Sequence, residues 1–399
     1  MFKKSLIAIA ALGALAGSAV AADVTLYGLV DYGFNYQHRD IDVQGYDEAD
    51  GFEMRSGQNS GSRFGLKGTE DLGNGLTVGF VLENGFDADT GSLGNGSRLF
   101  DREAQVYLKG DFGTLSMGRV GQFASANGSF GLLGKASPFS GGWGDSVGAK
   151  FMFANGYDRF DNTVTYVTPD FAGFKVHAQY SLKTNSKDSG EESKTTANRY
   201  YAVAATYENE ALYLVGIVDS INYSTTNNYI ADSTNPEDDQ WTFSLGGHYD
   251  FGGMTLYGLG QYFKNASAIG HKGLVGTATG SVAGGPGYTM GEFNGANGYG
   301  LTVGVGVPVF GGTAKASLGY MDAEADRAQT GVDKAEINRW NLSVGYDYSL
   351  SKRTSVYTAV AYQRDEVDYK TSDSFNPSTV EPELPGVPST QISSELDAQ

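Results

Sequence analysis

Trp340-Asn341-Leu342-Ser343-Val344-Gly345-Tyr346-Asp347-Tyr348 alternates without a break. Every even position is aromatic or aliphatic, and every odd one is polar or glycine. Side chains on a strand point to opposite faces in turn, so this run builds one apolar and one polar face. The same pattern recurs upstream. Trp241, Phe243, Leu245 and Tyr249 alternate against Thr242, Ser244, His248 and Asp250; Phe174, Val176, Ala178 and Tyr180 alternate against Lys175, His177, Gln179 and Ser181. In a soluble sandwich the apolar face would be core. In a membrane barrel it would face lipid, with the polar face toward a lumen.

Between the alternating runs stands a repeated turn: Asp71-Leu72-Gly73-Asn74-Gly75, Asp111-Phe112-Gly113, Asp170-Phe171-Ala172-Gly173, Asp250-Phe251-Gly252-Gly253 and Val309-Phe310-Gly311-Gly312. Glu208-Asn209-Glu210 and Leu350-Ser351-Lys352-Arg353 are weaker relatives. Glycine supplies the positive φ that a tight hairpin requires. From turn to turn runs roughly 40 residues, with two gaps of roughly 60. Each unit therefore holds two strands and a longer loop, with short turns at one end of a meander and long loops at the other, as in an outer-membrane barrel. Strands are expected at 23–37, 59–70, 74–87, 98–110, 113–121, 160–169, 171–183, 197–209, 210–221, 239–251, 252–265, 296–309, 312–324, 336–349 and 353–366. These are about fifteen, one short of closure.

Composition agrees with export. The chain has 399 residues, no cysteine, 57 glycines, 9 prolines and 13% aromatics. Abundant aromatics argue against disorder. A formal charge of −18 argues against nucleic acid, because no basic stripe could dominate that field. Lys3 and Lys4 precede an apolar run, Leu6 to Ala16, too short to span a bilayer. Ala19-Val20-Ala21 then gives a cleavage pattern, so residues 1–22 read as a signal peptide rather than a retained anchor. Aromatics near strand ends and small residues on the polar faces fit an interfacial girdle and a water-filled lumen.

The residues Tyr27-Gly28, Ser62-Arg63-Phe64-Gly65-Leu66-Lys67-Gly68-Thr69-Glu70 running into the first turn, Met117-Gly118-Arg119, Asp161 to Pro169 and Leu350 to Thr354 resemble the general porins of the neisserial and beta-proteobacterial type. The resemblance covers roughly residues 23–366. It implies an all-β, transmembrane antiparallel barrel of 16 strands over 23–370, a homotrimer in the outer membrane, and a passive channel for ions and small hydrophilic solutes. It also implies that 121–160 folds into the barrel and narrows it. That segment is glycine-rich yet carries Phe123, Phe130, Phe139, Trp143, Phe151, Phe153 and Tyr157, which could pack on an inner wall. An external loop with its own small core is the alternative.

A narrowed pore selects by the charges around it. Asp145, Asp158 and Asp161 are the acidic candidates. Arg63 and Lys67 share parity with Gly65, so they should face the lumen. The resemblance supports Arg102, Arg119 and Arg159 as pore arginines, although Arg102 shares parity with the lipid-facing Val106 and Leu108. The expected selectivity is mildly anionic despite the acidic total. Much of the acid lies in segments read as loops, Asp40 to Glu53, Asp188 to Glu192 and Asp232 to Asp239, and is screened within about 10 Å at ordinary salt. Those loops would meet lipopolysaccharide. Residues 265–295 read as an external loop.

The tail, 371–399, carries Pro377, Pro382, Pro385 and Pro388 and shows no alternating run. Pro breaks sheet ladders, so no strand is read there; the expectation is that the sequence is truncated or altered at its end, and the alternative is that part of this tail makes an unusual closing strand. An enzyme finds no support: His38, His177, His248 and His271 are too far apart for metal-ligand spacing, and no nucleophile elbow or Walker loop occurs. His177 and His248 read as water-exposed lumen residues. No cofactor is expected. A surface adhesin is the remaining alternative.

Overall fold

A computed structural model describes residues 23–41, 49–94, 98–144, 146–154, 159–224, 238–270, 293–327, 334–370 and 391–397. Residues 1–22, where the signal peptide was read, lie outside the described residues, as do Asp145, Asp158 and most of the proline-rich tail.

The described chain is almost entirely antiparallel strand. The strands are β1 (Asp23–Leu29), β2 (Tyr32–Ile41), β3 (Ala49–Ser56), β4 (Arg63–Gly73), β5 (Leu76–Gly85) and β6 (Glu103–Gly110). They continue as β7 (Gly113–Gly121), β8 (Arg159–Val167), β9 (Phe174–Ser181), β10 (Arg199–Glu208), β11 (Leu212–Asn222) and β12 (Gln240–Asp250). The last are β13 (Thr255–Ala266), β14 (Phe293–Val309), β15 (Gly312–Arg327), β16 (Lys334–Ser351), β17 (Thr354–Lys370) and β18 (Gln391–Asp397). Each strand from β4 to β18 pairs with its neighbour in sequence.

Two interruptions reconcile the eighteen segments with sixteen wall strands. β1 and β2 are separated only by Val30 and Asp31, and they face β4 and β3 in one continuous direction: Leu29 opposes Arg63 and Tyr32 opposes Ser56. β3 and β4 are likewise one strand broken at 57–62. Asp31 accounts for the break. Its carboxylate accepts the backbone N–H of Asn59 (2.9 Å) and of Ser60 (2.6 Å), tying down a loop that no ladder serves.

β18 lies between β17 and β2, so the sheet returns on itself. This corrects the expectation that the tail contains no strand. Proline excludes a ladder only where it sits, and Pro388 precedes the first residue of β18. The segment escapes a pattern search because its alternation is broken by Ser393, Ser394, Glu395 and Asp397. The acidic stretch Asp40 to Glu53 is also not wholly loop. Asp40 and Ile41 end β2, and β3 begins at Ala49. Phe34 and Phe52 stack across that pair with ring centroids 5.7 Å apart.

The burial pattern distinguishes barrel from sandwich. On β16, Trp340, Leu342 and Val344 are each at least half exposed, whereas Asn341 is 2% and Ser343 0% exposed. Apolar side chains stand outward and polar ones inward, the reverse of a protein folded in water. The short turns behave as read. Phe310 (φ 52°) and Gly311 (φ 80°) take the left-handed conformation, as do Ala172 (φ 55°) and Gly173 (φ 93°). The Gly173 N–H donates to Asp170 Oδ1 (2.6 Å), and this bond with Lys175 holds the Asp170 carboxyl below the usual carboxylate range.

Candidate functional site: the pore lining

Between β7 and β8 the chain turns into the lumen. It carries two short 3-10 helices, Leu133–Ala136 and Ala149–Met152. Phe123, Leu133, Phe151, Met152 and Phe153 are fully buried against inward residues of β10 to β16, among them Tyr213, Phe263 and Met321. Polar wall residues hold its backbone. The Ala154 N–H donates to Gln261 Oε1 (2.9 Å), the Gly148 N–H to Ser343 Oγ (3.2 Å), and Asn341 Nδ2 to Ser146 O (2.6 Å). Small residues let the segment approach closely: a Cβ on Gly300 would stand 1.8 Å from the Met152 carbonyl oxygen.

Arg339 is the strongest of these anchors. It is wholly buried and makes a two-pronged ion pair with Asp365, with Nε to Oδ1 and Nη2 to Oδ2 both 2.5 Å. Its Nη1 also donates to the carbonyls of Phe151 (3.0 Å) and Gly270 (3.1 Å). The planar guanidinium thus joins two wall strands to two loops. Gly270 belongs to a stretch expected outside. Instead Ala266 and Ile269 are buried, and residues 271–292 lie outside the described residues. His177 differs from expectation too. It faces inward on β9 but is covered by Phe123, whose ring lies 5.7 Å away.

The opposite wall, β4 to β8, carries the charge. Glu83 on β5 receives Arg102 Nε at 2.7 Å and lies 3.7 Å from Arg63 Nε. Asp161 on β8 receives Arg119 at 2.7 Å and Arg98 at 2.9 Å. Arg159 bonds Asn127 Oδ1 at 3.1 Å, and its Nε has no hydrogen-bond partner. No carboxylate among the described residues pairs with it. Lys67 lies over the Tyr27 ring at 5.5 Å from the centroid.

Arg63, Arg102, Arg119, Arg159 and Asp161 are therefore brought into one cluster, with Lys67 on the same wall. The parity conflict of Arg102 disappears because β6 begins one residue later, at Glu103. Arg119 occupies the bulge between Gly118 and Val120, where strict alternation also lapses. Sequence reasoning missed Arg98, Glu83, Asp101 and Glu103. Glu83 was available by parity, since it alternates with Gly79 and Val81. Glu103 fixes the inserted segment at its start, accepting Ser129 N–H (2.7 Å) and Oγ–H (3.0 Å). Arg98 lies between β5 and β6, since β6 begins at Glu103 and not at 98 as expected, so no periodicity marks it. It reaches Asn185 Oδ1 (2.7 Å), and Ser186 donates to Asp161 from both N–H (2.7 Å) and Oγ–H (2.6 Å).

Comparison with known proteins agrees with this architecture. The family described as Gram-negative porin matches residues 8–368. An outer membrane porin of Bordetella pertussis is 33% identical over 381 residues, covering 91% of this chain and 94% of that protein. One from Delftia acidovorans is 30% identical, covering 91% of this chain and 90% of that protein. Among solved structures, the anion-selective porin from Comamonas acidovorans superposes with a TM-score of 0.56 at 23% identity, covering 95% of this chain and 98% of that one, a likeness of fold. The inward polar face, the outward apolar face and this kinship lead to one conclusion: the chain belongs to the Gram-negative porin family and forms an outer-membrane channel for passive diffusion of ions and small hydrophilic solutes.

Proposed function

We propose that residues 121–160 form the constriction of this channel and that the arginine-bearing wall beside it gives a mild preference for anions. The observation that carries this reading is the surplus of positive charge. Arg63, Arg98, Arg102, Arg119, Arg159 and Lys67 stand against Glu83, Asp101, Glu103 and Asp161, and Arg159 has no carboxylate partner among the described residues. The described part of the inserted segment carries no carboxylate and adds Lys150; its Lys135 is paired with Glu208 at 2.5 Å and adds no net charge. Charge held on a low-dielectric wall acts on a permeating ion more strongly than loop acid that salt screens. The name of the Comamonas relative agrees. Asp145 and Asp158, the other acidic candidates, lie outside the described residues.

The channel is proposed to assemble as a homotrimer in contact with outer-membrane lipid and lipopolysaccharide, after removal of residues 1–22. It performs no covalent chemistry. Reversal potentials across a planar bilayer in a potassium chloride gradient test the selectivity. Anion preference is expected, and Arg159→Gln should reduce it. Clear cation preference in the unaltered protein would overturn the reading.

A further inference from the structure

The inserted segment has a far tip, and that tip is built. Trp143 and Val147 exchange two backbone hydrogen bonds, Trp143 N–H to Val147 O (2.8 Å) and Val147 N–H to Trp143 O (3.1 Å). Trp143 is buried and packs on both Phe139 and Tyr357, with ring centroids 5.1 Å apart in each pair. Gly345 of β16 makes room for it: a Cβ there would stand 2.8 Å from the Phe139 ring and 3.2 Å from the Trp143 ring. The next residue reaches the start of the charged wall. The Gly144 N–H donates to Gln58 O at 2.7 Å, and Gln58 lies in the loop 57–62 that breaks β3 from β4.

A break in a wall strand forfeits ladder bonds, so its backbone needs other partners. Asp31 supplies them with all four of its polar groups. Its carbonyl accepts the Gly57 N–H (2.9 Å) and Ser62 Oγ–H (2.9 Å), and its N–H donates to Ser62 Oγ (3.0 Å). One carboxylate oxygen accepts the Asn59 and Ser60 N–H groups, and the other accepts Tyr357 Oη–H (2.5 Å). Tyr357 Oη in turn accepts the Asn59 N–H (3.1 Å). The loop is compact: a Cβ on Gly57 (φ 71°) would stand 2.9 Å from Gly61 Cα. Its other side touches the arginines. Gly61 O accepts Arg63 Nη1 (3.3 Å), and a Cβ on Gly61 would lie 2.7 Å from Arg102 Nη1. The loop is thus a spacer, with the tip of the inserted segment on one side and guanidiniums on the other.

We propose that loop 57–62 is the rest on which the inserted segment ends, and that Asp31 is a positioning residue: by fixing this spacer it sets the separation of the segment from the arginine-bearing wall. The inference rests on the constriction proposed above. Asp31 is only 8% exposed, so it acts through Gln58 O and Tyr357 Oη and not by meeting solutes. Arg339 holds the segment from behind, at Phe151, whereas Asp31 holds its tip from in front. Without that rest the tip keeps only its contacts to the β16 and β17 side, and the opening widens and fluctuates.

Single-channel currents and thermal transitions of the full chain test this. Asp31→Ala should raise both conductance and current noise. Tyr357→Phe keeps the ring on Trp143 and changes no charge; it should give a smaller change of the same kind with the reversal potential unmoved, and it serves as the test if Asp31→Ala does not fold. The double variant should match Asp31→Ala, because Tyr357 acts through Asp31. A lower thermal transition with unchanged conductance and noise would assign Asp31 a purely structural role and overturn the proposal, as would additive effects in the double variant. Arg339→Met separates this inference from the reading beneath it. If that variant alters the current while Asp31→Ala and Tyr357→Phe do not, only the role of Asp31 fails. If none of the three alters it, the constriction itself is misassigned.

Discussion

The two inner walls of the barrel solve opposite problems. The β4 to β8 wall is charged, and its guanidiniums point at carboxylates and at the lumen. The β10 to β17 wall is covered by the inserted segment and is mostly apolar, apart from uncharged hydrogen-bonding side chains, the Asp219 carboxylate, the Lys315–Asp347 pair beside Trp143 and the buried Arg339–Asp365 pair. On the function proposed above, one wall meets solutes and the other holds the segment that sets the opening. Changes on the holding wall should therefore alter stability and pore size. Changes on the charged wall should alter selectivity with little cost in stability.

The sharpest break in that division comes from Arg339→Met. It leaves the buried Asp365 unpaired and frees the Phe151 and Gly270 carbonyls, at a cost of about 3–5 kcal/mol. A lower thermal transition and larger, noisier single-channel currents are expected. The double variant with Asp365→Leu should recover much of the stability but not the steady current, since the contacts to the loop carbonyls stay lost. Gly300→Ala comes next. Its new Cβ collides with the Met152 carbonyl, so the inserted segment must shift, costing about 1–3 kcal/mol by overpacking. Conductance should change while the reversal potential hardly moves.

On the charged wall the sign reverses. Asp161→Asn removes the carboxylate shared by Arg98 and Arg119, so anion preference should rise, as read from reversal potentials. A fall would place those arginines outside the ion path. Lys67→Met should give the smallest effect, a slight loss of anion preference, because Lys67 lies over the Tyr27 ring rather than in an ion pair of the arginine cluster. If it exceeds the effect of Arg159→Gln, the narrowest point lies nearer β1 and β4 than proposed.

The wall was legible in the sequence because lipid enforces strict alternation, and Trp340 to Tyr348 shows it plainly. The turns were legible because positive φ selects glycine. What stayed hidden lies where neither constraint acts. Gln391–Asp397 lacks clean alternation. The Val30–Asp31 break depends on Asp31 meeting backbone groups far along the chain. Arg98 belongs to no strand, and Arg339 was passed over because its role depends on Asp365 and on carbonyls from remote loops. Pairings between distant segments leave no local trace.

The pairing of β2 with β18 bears on how the molecule is made. Among the described residues, every other ladder joins segments within about 50 residues of each other, most of them as hairpins that can zip soon after their turns form. Among the described residues, only this ladder joins an early segment to one near residue 397. Its loop-closure entropy is the largest among the described ladders and must be met for four opposed residue pairs, Ser394–Asp397 with His38–Ile41. Closure should thus be the slow step of assembly, and until it occurs the growing sheet presents two open edges to whatever chain lies nearby.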